Sequence, residues 1–306
     1  MKKDQYIIFH SNSTPTYDIA GTAVVKCLKN NFPEKKIIVV TNFPEIWLHN
    51  PNVFRVYRLG QTPYFYEDYV NDKNSVIFAH NPTSESDYLN KKNHIIESWC
   101  QMCGVKWAGP DSDEKPSLYF TDREKEVSMR LTQTDKPIFL IQPYEMFGAL
   151  SPAGWSWPKD MPIFVANQIV NKMSQKGYAP VIIKGKNQKP IGGAMNLEMN
   201  LRQTMATLFF TEKRLFVDSF MAATAAALEL PSVVTFLATH PKQNGYPENK
   251  NMVMDIKTEL KEEIDQYHPT LDVGNAILQK NIDTIPAYDI DKILEALDKT
   301  GEVTKK

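Results

Sequence analysis

The chain has 306 residues, 42% of them hydrophobic and 23% charged, which is enough for two ordinary globular domains with full cores. Lys plus Arg total 35 and Asp plus Glu 36, a net charge of -1, so no global field marks a nucleic-acid or anionic-membrane binder. Three cysteines exclude a disulfide framework, and the apolar run in the opening MKKDQYIIFHSNS is too short for a signal peptide or a membrane span, so a cytoplasmic protein without stable membrane insertion is expected.

Strands and helices alternate along the chain. YIIFH (Tyr6 to His10) reads as a first strand, Ile19 to Asn31 as a helix, KIIVVT (Lys36 to Thr41) as a second strand, FRVYRL near Tyr57 as a third and SVIFAH (Ser75 to His80) as a fourth. A helix around His94 to Val105 ends at Gly104, and GPDSDEKP (Gly109 to Pro116) marks a loop. Cys100 and Cys103 within that helix have the spacing of a thiol redox pair or half a zinc site. Ile95, Ile96, Trp99 and Met102 share their helical period, however, and no second Cys pair or His cluster accompanies them, so they read as core.

A second series opens at PIFLIQP (Pro137 to Pro143), a continuous apolar run suited to a central parallel strand. A helix from about Met161 to Lys176, a strand at APVIIKG, a helix from about Leu201 to Phe210 and the strand RLFV (Arg214 to Val217) follow. Asp218 and Ser219 then precede the Ala-rich ATAAALEL, a strong helix former that they can cap, and SVVTFL after Pro231 is the next buried strand. The last helix is expected at about Asp289 to Lys299. The division falls into domains 1–135 and 136–306, each doubly wound α/β. Unpaired N–H groups in the first turn after Asp218 make a seat for a diphosphate, while an ordinary capped core helix accounts for the same residues.

The order and spacing of these residues resemble the family 9 glycosyltransferases, which include the lipopolysaccharide heptosyltransferases. In the second half Met199-Asn200-Leu201, then Asp218-Ser219, then ATAAALELP match that family's Met-Ser-Leu, Asp-Thr and Ala-rich helix. In the first half DIAGTAVVKCLKNNFPEKKIIVVTNFPEI followed by NPNVFRVY is similar to its opening. The likeness runs from about Tyr6 to Leu297. It implies the GT-B fold, two Rossmann-like domains facing across a cleft, the first for the acceptor and the second for a nucleotide sugar.

It also implies roles. Asp18 falls on the family's catalytic aspartate, just before the first helix, where it would take the acceptor hydroxyl's proton in an inverting transfer; a simple helix cap is the competing reading. Asp218, Ser219 and Phe220 would hold the donor diphosphate through a hydroxyl and helix N–H groups. Met199 would line the base pocket, and Lys184, Lys186 and Asn187 would reach ribose or phosphate. Two departures are visible: Ala223 stands where the family has His, and Trp155 where it has Lys ahead of a Trp-Pro pair.

Tyr17, with Tyr64 and Tyr66 of the loop Gln61 to Asp72, is expected on the acceptor side, because exposed aromatic rings stack on a sugar or an unstacked base; at helical spacing Tyr64, Phe65, Tyr66 and Tyr69 equally read as core. The reading is an inverting, metal-independent glycosyltransferase with a nucleotide diphosphate sugar as co-substrate and no cofactor. Its acceptor is a glycan, or a hydroxymethylated pyrimidine if the chain is a bacteriophage member acting in an infected cell. A sugar-nucleotide epimerase or hydrolase and a catalytically degenerate binding module are the alternatives. The nucleotide, the sugar and the oligomeric state are not encoded legibly.

Overall fold

The computed structural model describes residues 5–11, 14–132, 134–145, 159–254 and 288–300. The chain divides into two compact units, Met1–Phe120 and Thr121–Lys306.

Unit 1 is built on four parallel strands, β1 (Gln5–Ser11), β2 (Lys36–Thr41), β3 (Arg55–Arg58) and β4 (Asn74–Phe78), in the order β3-β2-β1-β4. Ile7 lies opposite Ile37 on one side and Val76 on the other. The connection from β1 to β2 is helix α1 (Pro15–Asn31), which starts earlier than its apolar periodicity suggests because Thr14 serves as N-cap and Pro15 supplies a preset first turn. Asp18 therefore lies inside the first turn and caps nothing. Gly21 lets α1 lie close to its neighbours, since a Cβ there would stand 3.3 Å from the Phe9 ring and 3.4 Å from Trp99.

Between β3 and β4, Phe65–Tyr69 forms a short helix, α2. Its aromatics divide. Phe65 and Tyr69 pack edge-to-face on Tyr57 and on each other, and Tyr69 also meets Tyr6, so these are core. Tyr64 and Tyr66 are 77% and 62% exposed. After β4 come the short α3 (Ser86–Leu89) and α4 (Ile95–Met102), the latter ending at Gly104 with φ of 71°. Cys27, Cys100 and Cys103 are free and buried against one another; hydrogen bonding with Cys27 and burial hold the Cys100 thiol above the ordinary range, and burial pushes Cys103 up to about 12, which disfavours thiolate chemistry.

Unit 2 begins with α5 (Asp122–Leu131), opened by a capping box in which Thr121 and Glu124 satisfy each other's backbone. Its ties run forward: Arg202 grips Glu124 through two hydrogen bonds, and Ser128 donates to the Gln203 carbonyl, 3.1 Å. This is why the division falls at 120/121 rather than at 135/136. The six strands are β5 (Ile138–Gln142), β6 (Ala179–Ile183), β7 (Met195–Leu197), β8 (Lys213–Val217), β9 (Val233–Phe236) and β10 (Lys250–Val253), all parallel in the order β10-β9-β8-β5-β6-β7. The first strand in the chain sits centrally, the second and third lie to one side and the fourth to sixth to the other. This is the 3-2-1-4-5-6 order of a dinucleotide-binding sheet, with its switch point between β5 and β8.

The connecting helices are α6 (Ile163–Gln175), α7 (Leu201–Ala206, prolonged by a 3-10 turn to Phe210), α8 (Phe220–Ala227) and the short α9 (Pro241–Asn244). Helix α10 (Ile290–Lys299) returns to this unit, burying Ile293, Leu294, Ala296 and Leu297 in a core shared with α6, β5 and β8. Arg214 is fully buried among backbone carbonyls of Leu208, Thr211 and Pro231, and burial lowers its guanidinium to about 10; the side chain serves the fold. No helix among the described residues is long and apolar enough to cross a membrane.

Candidate functional site

In unit 1 the chemistry collects where β1 and β2 end. Asp18 is fully buried, and its Oδ1 accepts hydrogen bonds from Thr41 Oγ1 and from Trp47 Nε1, each 2.7 Å. Thr41 is the last residue of β2, and Trp47 closes the 3-10 turn Pro44–Trp47 behind it, so the strand end delivers both donors. The other oxygen, Oδ2, has no hydrogen-bond partner among the described residues. Burial raises the carboxyl to about 7 against the opposing pull of the Trp47, Thr41 and Ser11 side chains, and the Glu45 charge adds to the rise. The group is thus anchored through Oδ1, with the buried Ser11 hydroxyl beside it, and poised to exchange a proton near neutral pH.

Replacing Trp47 by Phe removes a donor to the charged form, so the Asp18 midpoint should move upward, readable as an upward shift of the pH at which the loss of stability levels off; an unmoved midpoint would mean that Trp47 does not set it. Tyr17, one residue before Asp18, is half-buried, and its hydroxyl meets that of Tyr88 at 3.2 Å. The exposed Tyr64 and Tyr66 lie elsewhere in unit 1, around α2.

In unit 2 the corresponding place is the switch point. Gln142 ends β5 and Ser219 follows β8, and the Ser219 hydroxyl donates to Gln142 Oε1 at 2.6 Å. Ser219 is the N-cap of α8 by position, yet its side chain does not bond into the helix. Asp218 is buried beside it, its Oδ2 accepting from Asn244 Nδ2 at 3.0 Å and lying 3.5 Å from Lys159 Nζ. Lys159 also reaches Glu145 Oε2 at 3.2 Å, both side chains being almost wholly covered. Burial raises the Glu145 carboxyl, Lys159 opposes that rise and Asp218 adds to it. Lys159 thus stands between two buried carboxylates, and a third, Asp160, accepts the backbone N–H of Glu145 through Oδ1 at 2.6 Å.

From this cluster a chain of contacts leads to the other predicted donor-side residues. Gln188 donates to the Glu145 carbonyl at 3.1 Å and accepts from the Gly185 N–H at 2.6 Å. Lys184, directly after β6, is buried and bonded to Glu198 and to the Gly185 carbonyl. Glu198 adjoins Met199, which is half-buried just ahead of α7, whose N-cap Asn200 accepts from the Gln203 N–H. Lys186 and Asn187 are exposed in the loop after Lys184. Phe220 opens α8 with its side chain in the core, so only its backbone stands at the helix start, and Ala223 is equally buried.

The structure therefore gathers Asp218, Ser219 and Lys184 with three residues that sequence reading passes over: Gln142, Glu145 and Lys159. Of these, Lys159 carried a signal, because it directly follows Trp157-Pro158, the pair used above as a landmark. Trp155, Trp157 and Pro158 lie outside the described residues.

No protein-family model matches the sequence, and no curated protein matches it. Solved structures do. A family 9 glycosyltransferase from Veillonella parvula aligns at 14% identity over 97% of each chain with a TM-score of 0.65. Escherichia coli ADP-heptose heptosyltransferase II aligns at 13% identity over 87% of this chain and 95% of its own, TM-score 0.63. E. coli heptosyltransferase WaaC, solved with ADP, aligns at 12% identity over 87% and 97%, TM-score 0.55. The chain has the fold of these proteins, the α/β GT-B architecture with two Rossmann-like units.

Proposed function

We propose that this protein is an inverting glycosyltransferase in which unit 2 holds a nucleoside diphosphate sugar and Asp18 of unit 1 removes the proton from an acceptor hydroxyl. The observation that carries the reading is Asp18 itself: a buried carboxylate at the carboxyl edge of a doubly wound sheet, anchored through Oδ1, unpartnered at Oδ2 and raised to about 7. A base of that strength suits the attack of a hydroxyl oxygen on the anomeric carbon as the nucleoside diphosphate leaves from the opposite face. In unit 2 the start of α8 supplies the positive end of a helix dipole, and Lys159 supplies a cation, against the charge that grows on the leaving phosphate. Lys159 thereby supplies a cation although Trp155 stands where the family has its Lys. The acceptor is a glycan hydroxyl, with the exposed Tyr64 and Tyr66 as its stacking surface.

The solved relatives point to a first probe, since WaaC was solved with ADP and with ADP-2-deoxy-2-fluoro heptose. Thermal denaturation against ADP, UDP, GDP and TDP and their sugars should show one nucleoside diphosphate raising Tm by several degrees, because a ligand at a hundredfold its Kd adds about 2.7 kcal/mol. Silence across the panel would remove the donor site from the reading. Conversion of the donor's sugar without any acceptor would replace transfer by epimerisation.

A further inference from the structure

Ser219 carries one hydroxyl hydrogen, and it goes to Gln142 Oε1. The serine therefore turns only lone pairs toward any ligand, which is the wrong polarity for a phosphate oxygen. The hydrogen-bond donor left over at the switch point is the amide of Gln142, whose Nε2 is buried and has no partner among the described residues. An amide N–H₂ sealed from water without an acceptor is costly, and such an unsatisfied group in a fold points to a ligand that completes it. Its surroundings say which kind. Gln142 ends the central strand, beside the N-cap of α8 and among the residues around Lys159, so an anion or an oxygen-rich group is the complement. A second unpartnered donor, Thr239 Oγ1, lies just beyond the end of β9, on the far side of β8.

We propose that Gln142 is a donor-binding residue: its Nε2 donates to a diphosphate oxygen of the nucleotide sugar, and Ser219 is the strut that fixes the amide's orientation by occupying Oε1. The inference rests on the glycosyltransferase reading given above, and its test separates the two. The measurement is the affinity of the full chain for ADP, or whichever nucleoside diphosphate the panel selects, divided by its affinity for the corresponding nucleoside.

Gln142→Glu keeps an acceptor for Ser219 but puts a carboxylate where the amide hydrogens were. Its ratio should fall by roughly 100-fold, and that of the near-isosteric Gln142→Met by roughly tenfold, with nucleoside affinity unchanged, in line with a hydrogen bond to a charged group. Ser219→Ala frees the amide to rotate and should lower the ratio less than Gln142→Glu does; it also serves if the Glu variant fails to fold. A ratio unchanged in every folded variant overturns the role of Gln142, because a merely structural glutamine would change Tm without discriminating diphosphate from nucleoside. A wild-type protein that binds nucleosides and their diphosphates equally, or neither, overturns the underlying donor site as well.

Discussion

Asp18→Asn should abolish sugar transfer, lowering turnover by roughly 10²–10⁴-fold as removal of a general base does, while nucleoside diphosphate binding stays at the wild-type level. The same substitution should raise stability at alkaline pH, and this second effect separates chemistry from folding. In the unfolded chain the Asp18 carboxyl ionises near the ordinary 3.9, but burial holds it at about 7 in the native state. Below about pH 4 both states carry the proton and the stabilising contribution is complete. Between about pH 4 and 7 the unfolded chain releases a proton that the folded protein still holds, so the contribution declines progressively and is fully lost once the pH passes the folded value near 7, at most about 4 kcal/mol for a displacement of this size.

An asparagine cannot ionise, and its Oδ1 can still accept from Thr41 and Trp47. The gain in melting temperature of the variant over wild type should therefore be much larger at pH 8.5 than at pH 4. Wild-type turnover should climb with pH through an apparent pKa near 7 and then level. Retention of more than about a tenth of the activity by Asp18→Asn would end its assignment as base. Tm differences identical at the two pH values would show instead that the carboxyl is not raised in solution.

Much of this arrangement could be read before the coordinates, and the part that could not has identifiable causes. Periodicity and β-branched runs place β1 to β6, β8 and β9 within a residue or two, most strongly where the strand is an apolar run covered on both faces. Of the four edge strands, β3 and β4 are legible in the sequence and β7 and β10 are not. Met195–Leu197 is three residues of MNL and Lys250–Val253 reads KNMV, so neither carries the β-branched and aromatic run that marks β3 (RVYR) and β4 (NSVIF). The start of α1 was displaced because Asp18 looked like a cap, although Thr14-Pro15 was the better start signal.

The candidate site divides in the same way. Asp18, Asp218 and Ser219 were visible because they sit at strand-to-helix turns with recognisable neighbours. Gln142 reads as the last residue of an apolar strand, and Glu145 as a loop acid. Only tertiary structure, which brings the ends of β5 and β8 side by side, turns them into partners of Ser219 and Lys159. The aromatic loop shows the complementary limit, since one helical turn sends Phe65 and Tyr69 inward while leaving Tyr64 and Tyr66 in solvent.

Lys159 is the residue on which both the stability of unit 2 and its proposed anion site converge, and Lys159→Met should reveal both. With the ammonium removed, Glu145 and Asp218 are left facing each other under cover, and breaking a buried ion set in this way costs about 3–5 kcal/mol. The loss should depend on pH in a stated direction. Glu145 is already raised by burial, and Lys159 is what restrains it, so its carboxyl rises further in the variant. A raised carboxyl contributes its stability at low pH and forfeits it as pH increases; the deficit of Lys159→Met relative to wild type should therefore be largest at pH 8 and shrink toward pH 5.

Adding Glu145→Gln removes the uncompensated charge and should restore most of the melting temperature at pH 8. It should not restore nucleoside diphosphate binding, because the cation that meets the phosphates is still missing. A double variant that regains both would make Lys159 a structural counter-ion only, and the charge developing on the leaving group would then fall to the α8 dipole and Gln142. A double variant that regains stability alone places the lysine against the donor, where its 3.5 Å approach to Asp218 marks the resting position from which it would turn to the phosphates.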